Sequence, residues 1–412
     1  MSVVTLYQES LAHKARDGTS FYVPSFEVKI EGAGLPRDVL RDVTQLTYKD
    51  DIKGLDSFEL TVNNWDPATN GFKYVGSETA QSLQNQSTPE GLRFRLFEPC
   101  NDKEVAVSMG YADDLRLMLK GNFVSLDPNF PSGGGPTLTV RGLNVLHRLR
   151  SKPYTTSWDN KTDSYIAENI ATLRDRGRRR FPYTVDVDPN ARAAERPIRR
   201  VTQQNQYDID FLFGRARQRG YVVVVQEEQQ QEARGRRSGE RERIFFGPSS
   251  GAVPGLREVT FKLEWGKSLV EFKPNLTTAN RVSEVRVRGW NRTTRQRIEG
   301  VARLTDDGPN SDLYRLLSCA EPRRETIVNE PCFDQAQATQ RAQALLDENL
   351  KKLVTCSATT VGLPDLRAGQ TVHIGGVGSR FSGVYSIDET THTINNSGYT
   401  TRFNARRERS LP

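Results

Sequence analysis

Ser57-Phe58-Glu59-Leu60-Thr61-Val62-Asn63 alternates polar and apolar residues without a break, and Asn64-Trp65-Asp66-Pro67 closes it with turn formers. A period of two puts Phe58, Leu60 and Val62 on one face and the polar residues on the other, the pattern of a strand with one buried side. The leucines of Leu115-Arg116-Leu117-Met118-Leu119 repeat it, as does Leu92-Arg93-Phe94-Arg95-Leu96. Gly32-Ala33-Gly34 and Pro131-Ser132-Gly133-Gly134-Gly135-Pro136 add further turns. Short strands at this spacing predict a barrel or sandwich over 20–142. The polar, weakly patterned run from Tyr74 to Glu90 reads as a long surface loop.

Further along, helical periodicity appears. Ile166, Ile170 and Leu173 share a face of a helix predicted over Asp163–Arg174. Ile209, Leu212, Phe213 and Ala216 share one over Tyr207–Arg219, with Asn205 as its cap and Gly220 past its end. Tyr221 to Val225 reads as a buried strand and Ile244-Phe245-Phe246 as its partner. Between them, 226–243 holds five Glu and five Arg and reads as a solvated hairpin extension or an interaction loop. From 276 onward β patterning returns, with one helix over Gln335–Leu350. Asp334 and Gln337 form its capping-box-like start, and Ala338, Ala342, Leu345 and Leu346 its apolar stripe. Val140-Arg141-Gly142-Leu143-Asn144 is echoed by Val287-Arg288-Gly289-Trp290-Asn291, as two similar β modules would produce.

Composition narrows the function. In 412 residues, 58 are Lys or Arg against 51 Asp or Glu, a net charge of +7, and 44 of the 58 are arginine. Arginine's planar fork suits bidentate contacts at protein interfaces and on phosphates. The densest cluster is Arg174, Arg176, Arg178, Arg179 and Arg180, offset only by Asp175. It reads either as a solvated helix end or as a surface for an acidic partner. No run approaches the roughly 20 apolar residues of a membrane span. Met1 to Gly18 lacks the pattern of a secretory leader, which predicts folding in the cytoplasm or export by another route. Cys100, Cys319, Cys332 and Cys356 form no CxxC pair. His13, His147, His373 and His392 have no metal-ligand spacing.

Catalytic machinery is not visible. There is no P-loop, GxSxG or HExxH. Gly375-Gly376-Val377-Gly378 reads as a strand-to-strand turn with no helix after it to bind phosphate. Asp50/Asp51, Asp113/Asp114 and Asp306/Asp307 read as turn carboxylates. No catalytic residue, cofactor, metal or small-molecule substrate is expected.

Four stretches taken together resemble the phage late control protein D family, which includes tail hubs and the hub portion of VgrG-type spikes. The first is Gly362-Leu363-Pro364-Asp365-Leu366-Arg367-Ala368-Gly369-Gln370-Thr371-Val372, continuing through Phe381-Ser382-Gly383-Val384-Tyr385 and His392 to Gly398-Tyr399-Thr400-Thr401-Arg402-Phe403. The second is Ser283 to Asn291. The third is Asp208-Ile209-Asp210-Phe211-Leu212 with Arg217-Gln218-Arg219-Gly220-Tyr221. The fourth is Arg141-Gly142-Leu143-Asn144, with His147-Arg148-Leu149, Lys161-Thr162-Asp163 and Ile166-Ala167. The likeness covers about 140–412.

The resemblance implies a β-rich α+β chain with two tandem β-barrel domains, 1–150 and 276–412, flanking an α/β middle region, 151–275. It implies a non-enzymatic baseplate hub of a contractile injection system. Such a hub is a homotrimer whose six barrels join a threefold spike to a sixfold inner tube. Because the chain stops at Pro412 without a needle pattern, the spike is expected to be a separate polypeptide. Assembly is expected in the cytoplasm, into a phage tail or tail-like particle that can be released. The competing readings are a basic nucleic-acid-binding protein, resting on the arginine excess, and a tail-associated cell-wall hydrolase. The first lacks interleaved aromatics and any DNA-reading motif.

Overall fold

A computed structural model of the chain describes residues 2–5, 23–52, 54–79, 89–99, 103–112, 114–181, 183–219, 221–226, 243–248, 259–277, 282–291, 294–303, 323–328 and 334–407. After β1 (Ser2–Thr5), β2 (Pro24–Ile30) and β3 (Ala33–Gly34) form a hairpin, and α1 (Arg37–Asp42) leads into β4 (Val43–Asp51) and β5 (Ser57–Asn63). The small hairpin of β6 (Trp65–Asp66) and β7 (Gly71–Phe72) and the short helix α2 (Pro89–Phe94) come next. They precede β8 (Val105–Tyr111), β9 (Asp114–Asn129) and β10 (Thr137–Asn144). Six of these strands run antiparallel in the order β4-β5-β10-β9-β8-β2. Phe58, Leu60 and Val62 are buried with Leu46, Val107, Met109 and Val140 in one core, as the alternation requires.

Two expectations fail in this part. Leu92–Leu96 is not a strand: α2 covers most of it. Five residues span little more than one helical turn, too few to separate the two periods. Pro89 at the first helical position suits a helix start, and Arg93 ties α2 to Asp38 of α1. Nor is Tyr74 part of a surface loop. It is buried, with its hydroxyl donating to Asp42 Oδ2 at 2.7 Å and its amide to Asn64 Oδ1 at 2.9 Å. Residues 80–88 lie outside the described residues.

The middle of the chain opens with a 3-10 turn, Val145–Arg150, and β11 (Tyr154–Lys161). Then come α3 (Asp163–Ile170), the two-residue strands β12 (Arg174–Asp175) and β13 (Arg178–Arg179), β14 (Thr184–Val187) and α4 (Pro189–Ala194). The region ends with β15 (Ile198–Gln206), α5 (Asp208–Arg219), β16 (Tyr221–Gln226) and β17 (Arg243–Pro248). β14, β17 and β16 form one sheet, with β16 and β17 antiparallel as expected. α3 and α5 pack into the same core through Ile166, Ile170, Ile209 and Leu212.

The helix α3 stops at Ile170, earlier than its predicted end at Arg174, because the chain turns into the β12–β13 hairpin. Asn205 is not the cap of α5. It sits in β15 with φ +46°, and Gln206 after it still pairs with Tyr154, so the helix begins at Asp208. The extension 226–243 is described only at its two ends.

The last part builds two structures. β18 (Val259–Glu264) and β19 (Leu269–Leu276) precede an excursion of β20 (Val282–Asn291), β21 (Gln296–Arg303), β22 (Arg323–Ile327) and α6 (Gln335–Lys351). Asp334 caps α6 by accepting from Gln337 N at 2.7 Å, and Ala338, Ala342 and Leu346 bury its stripe against β20 and β21. The chain then returns through β23 (Val354–Val361), β24 (Thr371–Gly375), α7 (Gly378–Phe381), β25 (Gly383–Asn395) and β26 (Gly398–Arg407). The single-turn α7 replaces the plain turn expected after the glycines at 375–378.

A second six-strand run, β18-β24-β25-β26-β23-β19, surrounds its own core of Phe261, Leu263, Tyr385, Ile387 and Phe403. Its end strands are consecutive in the chain, joined by the four residues Trp265 to Ser268. A single bridge, Trp265 to Leu269, lies there, and among the described residues no ladder closes β18 to β19. β1 adds in parallel to β18. The two runs are one sheet because β25 is shared: Gly383–Ser386 pairs with β24, whereas Glu389–Asn395 pairs with β4.

Candidate functional site

Two features gather the polar groups that the sequence singled out: the joint between the two strand runs, and the arginine hairpin. At the joint, β25 moves from one core to the other. Tyr385 and Ile387 belong to the second core and Ile394 to the first, with Thr390 and His392 buried between them. His392 Nε2 lies 3.0 Å from Leu366 O, and its Nδ1 lies 3.0 Å from Tyr399 Oη and 3.1 Å from Thr401 Oγ1. Both ring nitrogens are therefore engaged. Burial, assisted by the charge of Arg367, lowers the imidazole to about 3, so it is neutral at physiological pH.

Arg367 bridges the joint from the other side. Its guanidinium sits 4.7 Å over the Tyr48 ring and donates to Met118 O at 2.9 Å. Beside it, Asp50 is buried and accepts from Ala368 N at 3.0 Å, with burial raising its carboxyl. Asp50 and Asp51 end β4 rather than occupying a turn. Strand register, not turn geometry, carries Asp50 inward. Tyr111 donates to Gly362 O at 2.9 Å and its ring lies 5.6 Å from Tyr399. Thus residues 362–369 and 392–401, two pieces of the most telling stretch, pack against the first strand run. A saturated, neutral imidazole has no lone pair or proton free for transfer, and the arrangement serves cohesion.

The arginine cluster is a hairpin, not a helix end. Arg176 (φ +48°) and Gly177 (φ +83°) make its left-handed turn, which lets Arg174 pair with Arg179. Arg174, Arg176, Arg178 and Arg179 are exposed. Arg180 turns inward: its side chain is 6% exposed and pairs with Asp208, donating also to Thr156 Oγ1 at 3.0 Å and Gln203 Oε1 at 3.2 Å. It also stacks 3.6 Å over the Tyr154 ring. Nearby, Asp163 is buried and paired with Arg215 and Arg219. The sequence reading missed these pairs, because their members lie 28, 52 and 56 residues apart.

Other candidates fall elsewhere. His147 Nδ1 lies 2.8 Å from Asn144 O. His373 alternates with the buried Val372 and Ile374 and pairs with Val384. Cys356 is free and buried, which pushes its thiol up to about 12. Asp113, Asp306, Asp307, His13, Cys100, Cys319 and Cys332 lie outside the described residues. Among the described residues no group of three or more His, Cys, Asp and Glu side chains could hold a metal ion, and no helix is long and apolar enough to cross a membrane.

A sequence-family profile described as the Alg8 N-terminal domain matches residues 254–396, well under half of the chain. That span ends before β26 and so divides the second strand run. None of the curated proteins matches. Solved structures do. The 43 kDa tail protein of prophage MuSo2 from Shewanella oneidensis superposes with a TM-score of 0.63 at 14% identity, over 93% of this chain and 98% of that one. A tail protein from Neisseria meningitidis MC58 gives 0.61 at 12% identity, over 94% and 97%. An E. coli component of the type VI secretion system, described as structurally similar to T4 bacteriophage tail proteins, gives 0.53 at 12% identity, over 93% and 77%. The fold of this chain is therefore similar to that of these phage tail proteins and of the type VI secretion component.

Proposed function

We propose that the chain is a structural hub in the baseplate of a contractile injection system, a trimeric adaptor between a threefold spike and a sixfold inner tube. The observation that carries this reading is the pair of six-strand runs joined through β25 in one chain. Three copies around an axis would present six such units, the arithmetic needed to match threefold to sixfold symmetry. In this reading each run acts as a barrel-like module, with 1–150 and 276–412 as the outer units and 151–275 between them. β18 and β19 then extend the second unit upstream, since they share its sheet.

The hub is proposed to carry load rather than catalyse. Sheath contraction would supply energy from elsewhere, while the hub holds spike and tube in register. A sheet continuous across both modules suits that task, because β26 pairs with β25 on both sides of the joint, with a register shift only between Ile387 and Glu389. The late control protein D family is the assignment that fits the motif order best. Its partners would be a separate spike protein, the tube protein and neighbouring baseplate proteins, with assembly in the cytoplasm.

Light scattering on the purified chain, alone and mixed with a candidate spike protein, tests the proposal. A mass of three chains, or a monomer that trimerises on the spike, is expected. A monomer indifferent to the spike, with salt-sensitive affinity for DNA, would overturn the hub in favour of nucleic-acid binding.

A further inference from the structure

Among the described residues, the sheet β21-β20-β22 is covered on one face, by α6, and on the other by none. Val285, Val287, Ile298 and Ala302 point to the helix, and Gly300 allows the backbones to close up: a Cβ there would lie 2.1 Å from the Ala338 carbonyl carbon. On the opposite face the antiparallel register aligns Glu284 with Arg303, Arg288 with Glu299, and Trp290 with Arg297. Directly opposed residues share a face, so these side chains lie on one surface with Arg286, which Val301 of β21 and Thr326 of β22 flank.

Its charges are layered. Glu284 contacts Arg286 and Arg303 (3.0 Å), while Glu299 contacts Arg297 (2.9 Å), Arg288 (3.4 Å) and Arg286 (3.6 Å). The Glu284 side chain is 8% exposed, whereas those of Arg297 and Arg303 are 54% and 66% exposed. Glu284 thus lies low, Glu299 and Arg286 are about equally half-buried, and Arg288, Arg297 and Arg303 stand above them. With Arg324 of β22, which is in register with Glu284 and exposed, five arginines against two glutamates leave three positive charges on the face. A guanidinium has five N–H donors, more than these pairings use. Each carboxylate braces two or three arginines, so the loss of side-chain freedom on binding is partly met in advance. Trp290, 57% exposed, stands at the end of the array.

We propose that this open face docks an acidic protein surface whose carboxylates repeat at strand spacing. Arg286 and Arg288 are two residues apart on one strand, roughly 7 Å, the interval between alternate acidic side chains on a partner strand. Interspersed carboxylates favour a protein over nucleic acid: a continuous phosphate track would meet Glu284 and Glu299, while a protein can place carboxylates only opposite the arginines. Trp and Arg are also the residues most enriched at protein-binding centres. The inference does not depend on the hub reading.

The test uses the full chain, with fluorescence anisotropy of a labelled poly-L-glutamate peptide and of a labelled DNA duplex of equal charge. The variant R288S/R297S is compared with R178S/R179S, which makes the same charge change on the β12–β13 hairpin. The expected result is at least about a tenfold loss of peptide affinity in R288S/R297S, against a change within about threefold in R178S/R179S. DNA affinity should fall equally in both. Circular dichroism checks folding, and W290A and R303S provide the same comparison if R288S/R297S does not fold. Equal peptide losses in both pairs, or none, would overturn the proposal by reducing the face to net charge. A selective loss of DNA binding in R288S/R297S would overturn it in favour of nucleic acid.

Discussion

His392 and Arg180 are single residues whose roles depend on what the fold places around them. The imidazole is held near 3 in the folded chain and near 6.5 once unfolded, so the unfolded state binds the extra proton first. Its contribution to stability is intact above pH 6.5 and is lost as pH falls toward the folded value, by at most about 1.4 kcal/mol per pH unit. Asp50, raised by burial, contributes in the opposite sense, so the histidine slope is isolated by comparing wild type with H392Q. Urea unfolding of both at pH 7, 6 and 5 should show a flatter acid dependence in H392Q. Parallel curves would mean that His392 does not titrate across unfolding. Arg180→Ala leaves Asp208 charged and buried, at an expected cost of about 3–5 kcal/mol. Arg178→Ala, on the exposed part of the hairpin, should stay within about 0.5 kcal/mol. Thermal melts of the two variants check this contrast between neighbours that look alike in sequence.

Elements with enough residues to display a period were readable in advance. β5, β16, α5 and α6 sit close to where their patterns predicted, because several turns or alternations had to agree. Leu92–Leu96 was misread because one turn of helix and two alternations look the same. The boundary of α3 was missed because a left-handed turn at Arg176-Gly177, rather than a capping signal, decides where the chain reverses. The fit of α6 to its sheet gives two quantitative expectations. Asp334→Ala removes the acceptor for Gln337 N and should cost about 1 kcal/mol. Gly300→Ala sets a methyl group against the α6 backbone and should cost about 3 kcal/mol. Chemical denaturation measures both. A neutral Gly300→Ala would mean that α6 is free to shift outward.

Across the whole molecule, the strand β25 determines whether the two runs stand or fall together. Thr393 pairs with Thr47 of β4 on one side and Thr400 of β26 on the other. Thr393→Pro removes the amide hydrogen and clashes in a central strand. Hydrogen exchange of the variant should show lost protection in both runs, at amides around Val62 and around Phe403. Loss confined to one run would show that the two are energetically separate despite the shared ladder. In a hub, coupling of this kind would pass load from one module to the other.

Local sequence determined which segments became strands and helices, since burial of an alternating or helical stripe is settled by residues a few positions apart. It also made the candidate arginines visible as a cluster, and the order of the C-terminal motifs pointed to a tail fold. Only the tertiary structure decided that Arg180 turns inward while its neighbours face solvent, and that His392 is buried at a joint. It alone put Arg288, Trp290, Arg297 and Arg303 on one open face. These outcomes depend on register between strands and on carboxylates distant in the chain, such as Glu284 for Arg303, 19 residues away, and Asp208 for Arg180, 28 residues away. Such pairings have no local period, because Coulomb attraction and desolvation act through space, and the chain discovers them only after its strands have aligned.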